Sequence, residues 1–317
     1  SSRYLCEAEG KRTSSILGAS LVYDNLDNRV HPSRGRSGSI NMDFAGLGGS
    51  VKYIRLRTNA AQYWPVGKGF IFSLTGEAGI IKPLAKRNIA NEDDVLLTDR
   101  FFLGEPQIRG FDIRGVGPRI IRKPLIDDGT NTGTLIPTTD RNTWYDDSIG
   151  GRYYYMTRAE LEIPLGSGAK ELGIRPSIFI DAGAVWGVTT PLTTTAATGI
   201  FTPTRDTSGN PLFTQIDTAA LDTSGNCVAS ATSVVTNATN PTPPSCLTSA
   251  ANQALGNTIP PFKEYFYGNT PRPRVSIGIG FNWNSPFGPF RIDFAKALMH
   301  SPGDNTKSFT FNVGTQF

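Results

Sequence analysis

The sequence predicts an all-β protein, an antiparallel transmembrane β-barrel, and three observations carry that prediction. Apolar and polar residues alternate in about nine separate stretches, the period of a strand with one apolar and one polar face. Aromatic residues gather at the ends of those stretches, and the connections between them are strongly unequal. Both are marks of outer-membrane barrels, which carry aromatic girdles, short turns on one side and long loops on the other. A water-soluble sandwich shares the period but turns its apolar faces inward. Lipid-facing is the expectation here.

The stretches follow in order. In Ser14 to Asp24, Leu17, Ala19, Leu21 and Tyr23 share one face. Ser37 to Phe44 sets Ile40, Met42 and Phe44 against Ser39, Asn41 and Asp43. Lys52 to Trp64 sets Ile54, Leu56, Ala60 and Trp64 against Arg55, Arg57 and Asn59, and Phe70 to Gly79 sets Phe70, Phe72, Leu74 and Ala78 against Ser73, Thr75 and Glu77. After a long interval, Tyr153 to Ile163 places Arg158, Glu160 and Glu162 on the polar face. Arg175 to Trp186 does the same with Arg175, Ser177 and Asp181. The last three are the cleanest. Val275, Ile277, Ile279, Phe281 and Trp283 alternate with polar or glycine positions. Phe290, Ile292 and Phe294 oppose Arg291 and Asp293, and Phe309, Phe311, Val313 and Phe317 oppose Thr310, Asn312, Gly314 and Gln316. On this reading Arg55, Arg57, Glu77, Arg291 and Asp293 form a solvated inner wall.

Pro65 to Lys68, Gly166 to Gly173 and Ser285 to Pro289 are tight turns, whereas Arg87 to Gly150 and Gly187 to Thr270 are very long. Phasing on short periplasmic turns puts Asn25 to Gly35 and the C-terminal Phe317 in the periplasm. The Gly187 to Thr270 insert is rich in Thr, Ser, Ala, Asn and Pro and reads as a solvated surface loop. Cys227 and Cys246 lie inside it. An oxidising compartment would let them close a local disulfide, the alternative being free thiols. Cys6 has no further cysteine to pair with.

The 317 residues, 38% apolar, suffice for one large all-β domain. No stretch approaches the roughly 18 consecutive apolar residues of a membrane helix. The net charge of +4 is spread along the chain and gives no nucleic-acid footprint. An enzyme is disfavoured. The two histidines, His31 and His300, fall at opposite ends of the strands, and no spacing suggests a metal or cofactor. About nine antiparallel strands do not close, because bacterial barrels use an even number. The expectation is a barrel portion lacking strands before Ser14.

The most informative run is Phe101-Phe102-Leu103-Gly104-Glu105-Pro106-Gln107-Ile108-Arg109-Gly110-Phe111, inside the first long connection. An arginine among small and apolar neighbours suggests a loop folded back on itself, its charge needing a partner. The Arg109-Gly110-Phe111 core resembles the loop signature of the BamA family of outer-membrane assembly factors. Further blocks resemble that family in the same order: Tyr23 to Asn28 with Pro32 to Gly35, Asp99 to Phe102, Phe179 to Trp186, Asn282 to Pro289, and the terminal Phe309 to Phe317.

The resemblance implies that residues 1–317 are the C-terminal half of a sixteen-stranded barrel, without its early strands and periplasmic POTRA domains. Residues 85–150 would be a lumen-entering loop and 187–270 a long extracellular loop. It implies a protein of the bacterial outer membrane that folds and inserts unfolded outer-membrane β-barrel proteins without covalent chemistry. Its partners would be those substrates, outer-membrane lipid and accessory lipoproteins. A lateral seam between first and last strands would open to substrate, with Phe309, Phe311, Val313, Gly314 and Phe317 on one side. By match to the motif, which runs from Ile108 to Phe111, Arg109 pairs with Glu162 and Asp181, Gly110 permits close backbone approach, and Phe111 anchors the loop by packing. A TamA-like or two-partner secretion barrel and a passive porin are the alternatives.

Overall fold

The computed structural model describes residues 11–87, 89–130, 132–165, 173–217, 220–221, 227–228, 231–235, 253–285 and 288–313. Cys6, Cys246, Gly314 and Phe317 lie outside them, as does the Cys227–Cys246 disulfide. The chain divides into two compact units. The first comprises 1–121, 145–193 and 264–317, and the second 122–144 and 194–263.

Among the described residues the first unit is built on a nine-stranded antiparallel sheet in chain order. Its strands are β1 (Ser14–Leu26), β2 (Gly35–Gly49), β3 (Tyr53–Gly67), β4 (Phe70–Pro83), β5 (Tyr153–Glu162), β6 (Ile174–Trp186), β7 (Arg274–Ser285), β8 (Gly288–Met299) and β9 (Phe309–Val313). Both very long connections return the chain to the strand beside the one it left, so β4 pairs with β5 and β6 with β7. The order runs from β1 to β9 as an open path. Pro65, which has no N–H for a ladder, sits where the β3–β4 register shifts.

Exposure decides between a sandwich and a membrane sheet. On one face Leu21 is 71%, Ile180 47% and Phe311 52% exposed. On the other, Asp181 and Ser276 are 0% and Asp293 1% exposed. The apolar side chains face out and the buried charges face in, which inverts a soluble core and suits hydrocarbon on the outside. Trp64 stacks on Phe72 and Trp283 lies against Phe290, both pairs near strand ends.

The strands follow the alternation, with one instructive difference. β8 runs on to Met299, past the Phe290 to Phe294 stretch in which the pattern is legible. Ala295 is buried on the inner face, and Ala297 packs on the cluster Leu103, Ile108, Phe111, Val116, Met156 and Val185. Where that cluster covers the sheet the inner face is itself apolar, so alternation fades. The second unit carries paired short strands, Ile200–Pro203 with Gly256–Ile259 and Phe213–Asp217 with Ala231–Val235.

Candidate functional site

The segment 101–119 folds over the polar face of β5 to β8. It is tied at its root by Phe101 and Gly151, which exchange N–H···O bonds of 2.9 Å, and by Val116 N–H to Leu103 O at 3.1 Å. Gly104 makes the turn possible, because a Cβ there would stand 2.2 Å from Asp112 O. Ile108 and Phe111 are fully buried in the cluster named above. Between them Gly110 has φ +82°, a left-handed conformation that favours glycine, and a Cβ on it would meet Ser276 Cβ at 3.0 Å. The glycine lets the backbone come down onto β7, where Ser276 Oγ donates to Arg109 O at 2.5 Å.

That descent carries Arg109 into the sheet. Its guanidinium grips Asp181 with two bonds, Nε to Oδ2 at 2.8 Å and Nη2 to Oδ1 at 2.7 Å, while its backbone N–H donates to Oδ2 at 3.0 Å. The third arm, Nη1, donates to Glu160 Oε2 at 3.0 Å and stands 3.5 Å from Asp293 Oδ1. Its Cζ lies over the Phe179 ring, 3.2 Å from the ring centroid. Two further arginines complete the cluster. Arg158 bonds Asp181 at 3.3 Å and donates to the carbonyls of Pro106 and Gln107, and so holds the loop directly. Arg291 bridges Glu160 at 3.0 Å and Asp293 at 2.9 Å. Three guanidinium groups thus face three carboxylates, with Arg109, Asp181 and Asp293 almost wholly buried and Arg158 and Glu160 at the edge of an open cavity. A forked pair of this kind is held firmly, and losing one partner leaves the others desolvated and uncompensated.

Register explains which acids meet Arg109. Glu160 lies opposite Phe179, the ring beneath the guanidinium, while Glu162 lies opposite Ser177 in the next row. Glu162 is about 7 Å further along the strand, two residues at the usual rise. It bonds Arg175 at 3.4 Å instead of Arg109, which corrects the expected Arg109–Glu162 pair. Arg291 and Asp293 are likewise not part of a solvated wall but buried members of the cluster. Arg55 does reach Asp43 at 3.0 Å, away from it. Parity alone placed Glu160, Arg291 and Asp293 on the inner face. The row that receives Arg109 is set by inter-strand register, which one strand's sequence does not carry. Among the described residues no group of three or more His, Cys, Asp or Glu is arranged to hold a metal ion.

Comparison with known proteins supplies the family. The Omp85 superfamily domain matches residues 2–317. The chain belongs to the Omp85 superfamily. This Omp85 chain is 25% identical over 309 residues to the outer membrane protein assembly factor BamA of Neorickettsia risticii (strain Illinois), which covers 97% of the chain and 28% of the relative. It is 23% identical to BamA of Neisseria meningitidis serogroup B over 93% of the chain and 28% of that protein. The sorting and assembly machinery component 50 homolog of Mus musculus is 28% identical over 55% of the chain and 32% of the relative. The chain therefore spans under a third of the length of these relatives. In fold it resembles a crystal structure of BamA from Haemophilus ducreyi lacking POTRA domains 1–3, with a TM-score of 0.55 and 20% identity over 93% of this chain and 41% of that one.

Proposed function

We propose that this Omp85 chain is the C-terminal barrel portion of an outer-membrane protein assembly factor, which folds and inserts β-barrel proteins through a seam beside its last strand. One observation carries the reading: the Arg109-Gly110-Phe111 loop is seated on the inner face of the sheet by the Arg109–Asp181 pair, in a superfamily member whose similar relatives are named as assembly factors. An unpaired strand edge is a template for strand addition, and an incoming strand can satisfy its backbone groups there. The exposed apolar face suits the outer membrane. Residues 85–150 serve as the lumen-entering loop, seated by Arg109, and 187–270 as the extracellular loop, with the C-terminus periplasmic. Phe309, Phe311 and Val313, with Gly314 and Phe317 beyond the described residues, form the seam strand. Unfolded outer-membrane barrels are the substrates, and lipid and accessory lipoproteins the partners.

A photo-cross-linker at Asn312 in the complete protein tests this. Capture of an unfolded barrel substrate, with no capture from a cross-linker at Ile180 in mid-sheet, supports the seam. Equal capture at both positions would contradict it.

A further inference from the structure

A second buried cluster ties the motif loop to the connection between β8 and β9. Residues 303–307 run beside the loop as a short antiparallel ladder. Phe111 and Thr306 form a bridge. Lys307 N–H donates to Gly110 O at 3.1 Å, Asp112 N–H to Asn305 O at 3.0 Å and Asn305 N–H to Gly115 O at 2.9 Å. The approach is close enough that a Cβ on Gly115 would stand 2.5 Å from Asn305 O.

Side chains lock the ladder. Asp304, buried, accepts from Arg274 Nε at 3.0 Å, from Ser301 N–H at 2.6 Å and from Gly117 N–H at 3.4 Å. Arg274, fully buried, sends its other N–H groups to the carbonyls of Gly268, Thr270 and Arg272. Arg119 joins the two segments by itself, donating to Gly115 O and Gly303 O at 3.0 Å and to Arg114 O at 2.7 Å. Lys307 Nζ meets Glu105 at 2.7 Å. Among the described residues the bonds of these side chains are separate from those of the Arg109 cluster. Arg109 seats the loop on the sheet, and this second cluster seats the 303–307 segment on the loop.

β9 begins at Phe309, two residues beyond Lys307, and pairs with β8 over five described residues, Phe309 to Val313. The connection 300–308 leads directly into that strand, so what holds the connection fixes where the strand starts. A buried ion pair is weak evidence for stability, and fixing one geometry is the role that suits it better.

We infer that Asp304, Arg274 and Arg119 are positioning residues for the seam strand: by clamping the connection 300–308 to the seated motif loop, they set where β9 begins and in which register. The inference rests on the assembly reading of β9.

The test uses the complete protein in liposomes with Cys6, Cys227 and Cys246 replaced by serine, and it has two readouts. One is the folding rate of an added unfolded barrel. The other is the disulfide yield of Ile292→Cys with Phe311→Cys, partners across β8 and β9, which reports the register of β9 whether or not the protein is active. Asp304→Ala strands Arg274 without its carboxylate and is expected to lower both readouts about tenfold. If that variant does not fold, Asp304→Asn is read the same way. Asp112→Cys with Asn305→Cys, opposed in the ladder, should restore the folding rate of Asp304→Ala to within about twofold once oxidised. An unchanged cross-link yield in Asp304→Ala would overturn the inference. So would loss of assembly on oxidising that pair in the otherwise unaltered chain, because the segment would then have to leave the loop. A lowered yield in a protein whose parent never accelerates folding would support the positioning role and remove the assembly reading.

Discussion

Replacing Arg109 by alanine should release the motif loop without unfolding the sheet, and the geometry sets the size of the effect. The substitution removes two bonds to Asp181, one to Glu160 and the stack on Phe179. It leaves three buried carboxylates against two arginines. Breaking a buried pair costs about 3–5 kcal/mol. The lower end applies, since Arg158 still bonds Asp181 and Arg291 still bonds Glu160 and Asp293. About 3 kcal/mol corresponds to roughly a hundredfold in the opening equilibrium. Hydrogen exchange of the backbone amides from Ile108 to Val116 reads it directly, with the β7–β8 ladder as internal reference. Arg109→Lys should fall between, because an ammonium lacks the planar fork that grips both oxygens of Asp181. Unchanged exchange in Arg109→Ala would refute the claim that this cluster holds the loop.

Three further outcomes follow from the same structure. Glu162→Gln should change loop exchange by less than about 0.5 kcal/mol equivalent, since its Arg175 partner is part-exposed, whereas Glu160→Gln should open the loop measurably. Ile279→Lys, on the exposed apolar face, should cost about 2–4 kcal/mol in a bilayer if that face meets lipid near the midplane; denaturant unfolding from vesicles measures it. In the β1–β2 turn, Asp27 is held at about 2 rather than 3.8, by the Ser33 hydroxyl first and then by the backbone N–H groups of Arg34, Ser33 and Asn28. A depressed carboxyl contributes fully above its unfolded value and is lost as pH falls through the folded one. Amide exchange in 27–34 should therefore rise between pH 3.8 and about 2, and Asp27→Asn should abolish that dependence.

Much of the sheet was legible because period-2 alternation states which residues share a face. Phe309, Phe311 and Val313, or Val275 to Trp283, announce both strand and outer surface. The signal failed where a loop turns the inner face apolar, as at Ala295 and Ala297 of β8. The Arg109-Gly110-Phe111 motif and the inward parity of Asp181 were both readable, but the acid beside Asp181 was not. Whether Glu160 or Glu162 receives the guanidinium depends on β5–β6 register and on how far Gly110 lets the loop descend. Arg274 and Asp304 escaped notice for a related reason. They are 30 residues apart, at the start of β7 and in the β8–β9 connection, and only the folded β7–β8 hairpin brings them together.

The most direct test of the central claim is the rate at which the complete protein in liposomes folds an added unfolded outer-membrane barrel, with and without Arg109→Ala. The account predicts acceleration over protein-free liposomes that Arg109→Ala largely removes. No acceleration by the unaltered protein, with ion conductance intact, would contradict it and favour a porin or secretion barrel.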